Sequence, residues 1–176
     1  MTDIKKLNIE FEKAVRLVAD NMPVSTESTR KPKLAHGIRV GTYLYENGYW
    51  RDMVLAGLLH DMFEMTEVSE ELIGSEFGDE VLRLVKASTK DDTITDGEEK
   101  ITELVTRAIA NGEEALIIKA ADILDSFKFY TAVDNQGELG YCMRHANAIF
   151  EHKPNTFQDK IFPVLKQWQE KYKDIE

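Results

Sequence analysis

The sequence contains no proline between Lys33 and Lys153, although prolines occur at positions 23, 32, 154 and 163. Because proline removes a backbone hydrogen bond and breaks helices, its absence permits long helices through most of the chain. Apolar residues recur every three or four positions, as on one face of an amphipathic helix. No segment alternates apolar and polar residues with the period of two that marks a strand. The sequence therefore predicts an all-α fold.

The predicted helices are separated by short polar loops, and glycine ends three of them, at positions 48, 78 and 112. The helices at 51–65 and 113–132 are apolar around most of their circumference, which predicts that they are buried. Pro163 is expected to start or kink the last helix. No linker divides the chain, so we expect one helical domain over 1–176, with helices in 133–176 closing over the core. The predicted helices cover about 4–22, 33–47, 51–65, 69–76, 79–87, 98–111, 113–132, 141–151 and 156–172.

Composition excludes several classes of protein. One cysteine, Cys142, permits neither an internal disulfide nor a thiolate zinc site, and it favours a reducing, cytoplasmic setting. The formal net charge of −10 disfavours long nucleic acids as partners, because they require a basic surface. No apolar run approaches the roughly 20 residues of a membrane span. We therefore expect a soluble protein without a membrane or nucleic-acid partner; the sequence does not set the oligomeric state.

Charge is unevenly placed along the chain. Residues 52–80 contain nine acids and no lysine or arginine, whereas residues 28–45 contain no acid. This pattern suggests a small anionic ligand held between cations and a metal ion, with solvated helix faces as the alternative. The cations of 28–45 surround His36 and are Arg30, Lys31, Lys33 and Arg39.

Histidine and acidic residues in apolar helices mark the candidate site. His60 and Asp61 are adjacent in the apolar helix at 51–65, where an unpaired charge is costly, and Glu64 lies on their side of the helix. His36 lies in the preceding helix, and Asp122 is an isolated acid in an apolar segment. Two imidazoles and two carboxylates suit a divalent first-row metal ion. The alternative on residues alone is a core histidine hydrogen-bonded to an aspartate.

Three glycines lie inside helices close to these histidines, namely Gly37, Gly41 and Gly57. Each costs roughly 1 kcal/mol relative to alanine in a helix interior. A close approach of two helices near the histidines would explain why glycine stands there.

The order of His36, then His60-Asp61, then Asp122 resembles the HD superfamily of metal-dependent phosphohydrolases over about residues 29–126. The segments LAGLLHDMFEMTEVSEELIGSEFGDEVLRLVKAST and KAADILDS look like the hydrolase half of the RelA/SpoT family. The resemblance implies a helical HD-type domain. It also implies one divalent ion, expected to be Mn²⁺ with Fe, Co, Ni or Zn as alternatives, held by His36, His60, Asp61 and Asp122.

The resemblance further implies the reaction and its residues. Glu64 would orient or activate the water, Asp61 would share in catalysis, and Lys119 would face the substrate phosphates. No histidine lies between Asp61 and Asp122, where two-metal HD enzymes carry further ligands, so one metal ion is expected. The expected substrate-binding residues are Arg30, Lys33, Arg39 and Ser126.

Two positions depart from the RelA/SpoT pattern. Met65 follows Glu64 where the family has a second acid, and Ser126 stands where it has asparagine. The expected function is hydrolysis of a small phosphorylated nucleotide, with (p)ppGpp-type pyrophosphohydrolysis foremost. An HD-type nucleoside 5′-monophosphate phosphatase and a non-catalytic nucleotide-binding module are the alternatives. A purely structural partner-binding domain is the alternative that explains the sequence least well, because it gives no reason for an Asp122 buried among apolar residues.

Overall fold

Ten α-helices account for the regular structure of residues 4–174, the part of the chain that the computed structural model describes. No strand occurs among these residues, so the all-α prediction is confirmed. The helices are α1 Ile4–Asn21, α2 Lys33–Glu46, α3 Arg51–Leu59, α4 Met62–Met65, α5 Glu70–Phe77, α6 Asp79–Ser88, α7 Gly97–Ala110, α8 Glu113–Ala132, α9 Gln136–His152 and α10 Ile161–Lys171.

Helices α3 and α8 form the centre of the bundle. Every residue from 53 to 59 and from 115 to 127 is buried, as their apolar circumference predicts. Helix α3 packs against α1, α2, α6 and α8, and α8 also packs against α2, α6, α7, α9 and α10. A polar side chain on either helix therefore lies inside the protein and needs a partner there.

Helices α2 and α3 approach closely because glycine occupies their contact. A Cβ atom at Gly37 would lie 2.8 Å from the backbone oxygen of Leu58. The two other glycines of this contact leave no room for a Cβ either. The close approach places the ring centroids of His36 and His60 5.0 Å apart.

The helix predicted over 51–65 is interrupted, and this prediction was wrong in its continuity. Helix α3 ends at Leu59, and α4 begins only at Met62. The imidazole Nδ1 of His60 lies 2.8 Å from the carbonyl oxygen of Gly57, which would accept the amide of Asp61 in an unbroken helix. The chain therefore turns at His60-Asp61 and presents both side chains from a short link between two helices.

Two later helices also begin at unpredicted positions. Helix α9 starts at Gln136 rather than near 141, because the Asn135 side chain accepts a hydrogen bond from the amide of Glu138 and caps the helix. Helix α10 starts at Ile161 rather than near 156, which places Pro163 in its first turn. Proline is tolerated there because first-turn amides have no partner within the helix.

One buried apolar cluster extends from Leu7 in α1 to Leu165 in α10. Among residues 4–174, no helix combines the length and the apolar character that crossing a membrane requires. Residues 1–3 and 175–176 of the expected domain lie outside the described residues. The single-domain organisation over 1–176, with its core at 29–126, stays a prediction.

Candidate active site

His36, His60 and Asp122 come together where α2, the α3–α4 link and α8 meet. The Nε2 atom of His36 lies 3.2 Å from His60 Nε2 and 3.0 Å from Asp122 Oδ1, and His60 Nε2 lies 3.8 Å from that oxygen. All three side chains are buried. Each offers one metal-ligating atom, and these atoms all lie within 4.8 Å of one another, as in a site that can hold a metal ion.

Hydrogen bonds at Nδ1 orient both imidazoles so that their Nε2 atoms face each other. His36 Nδ1 lies 2.6 Å from Asp125 Oδ2, and His60 Nδ1 lies 2.8 Å from the Gly57 carbonyl oxygen. Both partners are acceptors, so each Nδ1 donates, and in the neutral form of each ring the lone pair therefore lies on Nε2. Burial lowers the pKa of His60, which favours its neutral form. Two lone pairs 3.2 Å apart cannot bond to each other, so this donor set fits a shared cation.

Lys31 reaches the same atoms from the loop before α2. Its Nζ lies 2.9 Å from His36 Nε2, 3.0 Å from Asp122 Oδ1 and 2.6 Å from Ser126 Oγ. Burial disfavours the ammonium, but the carboxylates of Asp122 and Asp61 outweigh burial and raise the pKa of Lys31. The sequence marked Lys31 only as one member of a cationic stretch, and no local signal distinguished it from its neighbours.

Asp61 lies beside His60, with the two oxygens of its carboxylate in different roles. Oδ1 lies 3.5 Å from His60 Nε2, and Oδ2 accepts a hydrogen bond of 2.9 Å from Lys33 Nζ. Burial would raise the pKa of Asp61, but the ammonium groups of Lys33 and Lys31 hold it far below its usual value. Asp61 is therefore a carboxylate, and one of its oxygens is directed toward the His36–His60–Asp122 group.

Asp122 is held by two lysines on opposite oxygens. Lys119, one turn earlier on α8, donates to Oδ2 at 2.8 Å, while Lys31 donates to Oδ1. Burial alone would raise the pKa of Asp122, but Lys119 and Lys31 hold it well below its usual range. Ser126 Oγ donates to the Asp122 backbone oxygen at 2.8 Å. Lys119 and Ser126, predicted to face the substrate, thus also support Asp122.

Arg39 does not reach the cavity that a substrate would enter. Its Nε and Nη2 atoms bind the two oxygens of Asp125 at 2.7 and 2.8 Å, and its guanidinium lies 5.7 Å from the Phe129 ring. Asp125 in turn accepts from His36, so Arg39 holds the carboxylate that orients this imidazole. This role of Asp125 was not predicted; its only signal in the sequence is its position three residues after Asp122.

Glu64 lies in α4 and is bound by Lys90. Its Oε1 accepts from the Lys90 amide and its Oε2 from Lys90 Nζ, both at 2.8 Å. Burial disfavours the Lys90 ammonium, but Glu64 outweighs burial and raises its pKa. A carboxylate oxygen has a second lone pair and can still accept from a water molecule. The predicted role of Glu64 toward water therefore stays a prediction, with Lys90 as an unpredicted partner.

A cavity of about 580 Å³ opens above Asp61 and Asp122. The loop before α2 forms one wall and α9 forms another, and Tyr130 and Tyr141 add aromatic surface. Its volume lies within the roughly 300–1,000 Å³ of small-molecule sites. Arg30, at the mouth, is 63% exposed and pairs with Glu138 at 2.7 Å. The cationic residues that line the cavity are Arg30, Lys31, Lys33, Lys90, Lys119 and Arg144.

The orientation of His36 by Asp125 gives a first prediction. Asp125→Asn removes the negative charge that holds the Nδ1 proton, so the affinity for Mn²⁺ should fall about 10- to 100-fold, as for other partners of metal-binding histidines. Calorimetric titration with MnCl₂ measures this change. Asp134→Asn, an exposed aspartate just after the same helix, should bind Mn²⁺ like the original protein. Equal affinity in the Asp125 and Asp134 variants would contradict the prediction.

His145 is a fully buried histidine on α9. Its Nδ1 lies 3.1 Å from the Tyr141 carbonyl oxygen, and its Nε2 has no hydrogen-bond partner among the described residues. Burial, together with the charge of Lys119, holds the pKa of His145 well below its usual value of 6.5. This histidine is therefore neutral in the folded protein under conditions where the unfolded chain protonates it.

A second prediction concerns pH and stability. Below about pH 6.5 the unfolded chain takes up a proton at His145 that the folded protein does not, so acidification favours unfolding by about 1.4 kcal/mol per pH unit. His145→Phe should reduce the slope of the unfolding free energy against pH between pH 6.5 and 5, because about one proton fewer is taken up on unfolding. Denaturant unfolding at several pH values measures this slope. His152→Phe, at an exposed position, is the control, and a matching slope in both variants would refute the prediction.

Comparisons with known proteins agree with this geometry. A family model described as HD domain matches residues 14–152. A GTP pyrophosphokinase of Streptomyces coelicolor is 38% identical over 100 residues, which are 55% of this chain and 12% of that protein. The guanosine-3′,5′-bis(diphosphate) 3′-pyrophosphohydrolase MESH1 of Drosophila melanogaster is 33% identical over 99 residues, 55% of each chain. The chain thus spans between about an eighth and about half of these relatives.

Solved structures show the same helical arrangement. One structure has a TM-score of 0.73 at 20% identity. Its description states that a metazoan ortholog of SpoT hydrolyzes ppGpp and plays a role in starvation responses. The match covers 92% of this chain and 94% of that one. A protein of Listeria monocytogenes has a TM-score of 0.65 at 23% identity, covering 84% and 97% of the two chains. At these identities the likeness is one of fold.

Proposed function

This chain belongs to the HD domain family, and from that premise we propose that it is a metal-dependent phosphohydrolase of a small phosphorylated nucleotide. The first proposed substrate is (p)ppGpp, with pyrophosphate as the group removed. One observation carries the proposal: the Nε2 atoms of two imidazoles converge on the Asp122 carboxylate, which lines a cavity that is rich in cations.

The proposed metal ligands are His36, His60 and Asp122, with Asp61 as the fourth. Two imidazole nitrogens and two carboxylate oxygens suit a divalent first-row ion; Mn²⁺ is the ion proposed, with Fe, Co, Ni or Zn as alternatives. Such an ion, when bound, lowers the pKa of water and polarises a phosphate oxygen. Asp125 and the Gly57 carbonyl hold the two imidazoles with Nε2 inward, so the ligand atoms are oriented before an ion binds.

The remaining residues act on water and on phosphate. Glu64 is the proposed acceptor of the water proton, and Lys90, bound to both its oxygens, fixes its orientation. Lysines and arginines of the cavity neutralise the negative charge that develops on the phosphate groups. Those proposed for this role are Lys33, Lys90, Lys119 and Arg144, with Arg30 at the mouth.

The choice of (p)ppGpp is supported by the relatives and by the cavity. Relatives from Aquifex aeolicus, at 28% identity over 121 residues, and from Drosophila bear names that state hydrolysis of guanosine bis(diphosphate). Tyr130 and Tyr141 offer aromatic surface for a base. Met65, which replaces the second acid of the RelA/SpoT pattern, lines the cavity and makes this part of its wall apolar.

Product analysis tests the proposal. The purified protein with added Mn²⁺ should convert ppGpp to GDP and release pyrophosphate as an intact unit. Release of orthophosphate from nucleoside 5′-monophosphates, with ppGpp left unchanged, would instead identify a phosphatase. Thermal stabilisation by ppGpp without any cleavage would identify a binding module. Either of these two results would overturn the proposed reaction.

The cytoplasm is the proposed compartment. Cys142 is a free, buried thiol, and burial raises its pKa to about 12. A thiol that stays protonated is unreactive toward oxidation, so this cysteine serves as a packing residue. The single free cysteine suits a reducing environment and supports the proposal.

A further inference from the structure

The ammonium of Lys31 lies among the atoms that would bind the metal ion. We propose that Lys31 is an internal competitor of that ion: it donates a hydrogen bond to His36 and neutralises the charge of Asp122, and a divalent ion binds only by displacing it toward the cavity. This inference rests on the metal site of the proposed function. It makes metal affinity a property of the loop before α2 as well as of the ligands.

The hydrogen bonds of Lys31 form a complete shell. An ammonium has three N–H donors, and His36 Nε2, Asp122 Oδ1 and Ser126 Oγ supply three acceptors within 3.0 Å. The Lys31 side chain is only 12% exposed. The three acceptors therefore form a largely buried cation-binding site that the Lys31 ammonium occupies, rather than a chance contact at the surface.

Direct competition follows from the chemistry of His36. A neutral imidazole has one nitrogen lone pair that is not part of the aromatic π system. In neutral His36 this lone pair lies on Nε2, because Nδ1 donates to Asp125. That lone pair accepts a hydrogen bond from Lys31 or coordinates a metal ion, but it does not do both. Asp122 Oδ1 lies 3.0 Å from the ammonium as well, so an ion that binds both atoms also meets the positive charge of Lys31 at close range and repels it.

The start of α2 holds Lys31 in reach of these atoms. Pro32 is the N-cap residue of α2, and its carbonyl accepts the amide of His36 in the first turn. Lys31 therefore enters from a backbone position fixed only five residues before the histidine it contacts. Because Lys31 also lines the cavity, its side chain has open space into which it can withdraw.

Ser126 gains a role from this arrangement. Its hydroxyl donates to the Asp122 backbone oxygen and so presents a lone pair to Lys31 Nζ at 2.6 Å. The RelA/SpoT family, which this segment resembles, has asparagine at this position. The serine that replaces this asparagine therefore supplies the third hydrogen-bond acceptor of the Lys31 ammonium.

Titration with the metal alone tests the inference. After removal of metal by a chelator, MnCl₂ is titrated into the original protein, Lys31→Met and Lys86→Met. Lys31→Met removes the competitor, so its Kd for Mn²⁺ should fall about tenfold or more, the scale of displaced charge-assisted hydrogen bonds. Lys86→Met removes the same charge from an exposed side chain that pairs with Glu70 outside the site, and it should change the Kd less than about threefold.

Two further measurements separate competition from a merely structural role. Without metal, Lys31→Met should unfold at a lower temperature than the original protein, and Mn²⁺ should restore the difference. In the original protein, acylation of Lys31, followed by mass spectrometry, should increase when Mn²⁺ is added, because the ammonium leaves its shell. Lys31→Gln serves as the second variant if the methionine variant does not fold.

The outcomes distinguish this inference from the proposed function. Absence of Mn²⁺ binding by the original protein would overturn the proposed metal site itself. Binding by the original protein, with unchanged or weaker binding by the Lys31 variants, would overturn only the competition. Unchanged acylation of Lys31 on saturation with Mn²⁺ would also overturn it.

Discussion

Asp122→Asn is expected to abolish stoichiometric Mn²⁺ binding and to lower hydrolysis of ppGpp by at least about a thousandfold, since several kcal/mol of transition-state stabilisation would be lost. Asp122 Oδ1 lies close to the Nε2 atoms of both imidazoles, at 3.0 Å from His36 and 3.8 Å from His60. An amide oxygen retains the shape of this ligand but not its charge. The loss should therefore be one of metal affinity rather than of cavity shape.

The same substitution should destabilise the metal-free protein. Asp122 is the counter-charge of Lys119 and Lys31, whose side chains are 4% and 12% exposed. Removing one partner of a buried ion pair costs about 3–5 kcal/mol, because the other charge stays buried. Denaturant unfolding measures this loss, and elemental analysis measures the metal content.

Asp20→Asn provides the control for Asp122→Asn. Asp20 is exposed near the end of α1, so its substitution should change neither the unfolding free energy by more than about 0.5 kcal/mol nor the metal content. Metal binding by the Asp122 variant should be compared at a temperature at which both variants are folded. Retention of one Mn²⁺ per chain by folded Asp122→Asn would refute its assignment as a ligand.

Gly37→Ala is expected to destabilise the protein by about 1–3 kcal/mol, although alanine favours a helix by about 1 kcal/mol over glycine. The added Cβ would lie 2.8 Å from the Leu58 backbone oxygen. A backbone atom cannot rotate away as a side chain can, so α2 must move relative to α3. Because His36 precedes Gly37, this movement should separate it from His60 and weaken Mn²⁺ binding about tenfold or more.

Thermal unfolding and MnCl₂ titration of Gly37→Ala measure the two effects. Gly97→Ala is the matched control, because a Cβ at Gly97 meets no atom within 4 Å and its backbone needs no positive φ. This control should be as stable as the original protein or slightly more stable. A Gly37 variant with undiminished stability and Mn²⁺ affinity would show that the close contact of α2 and α3 does not position the histidines.

Sequence periodicity was sufficient to predict most of the helices and the burial of the two central ones. The apolar circumferences of α3 and α8 predict their central position, and glycine in apolar helices predicts the close contact of α2 and α3. Periodicity did not predict the break at His60-Asp61. That break depends on a side-chain hydrogen bond to Gly57, which competes with the backbone and leaves no trace in the apolar pattern.

The sequence by itself determined the all-α class, the buried helices and the residue types for a metal site, because burial and helical spacing are local properties of a chain. Tertiary structure alone decided which charges meet. Arg39 binds Asp125, 86 positions away, and Lys31 reaches Asp122 across 91 positions. A cation in the sequence can face a substrate, a solvent molecule or a distant carboxylate. Its partner is set by the packing of α2 against α8, and electrostatic attraction acts over distances in space rather than along the chain.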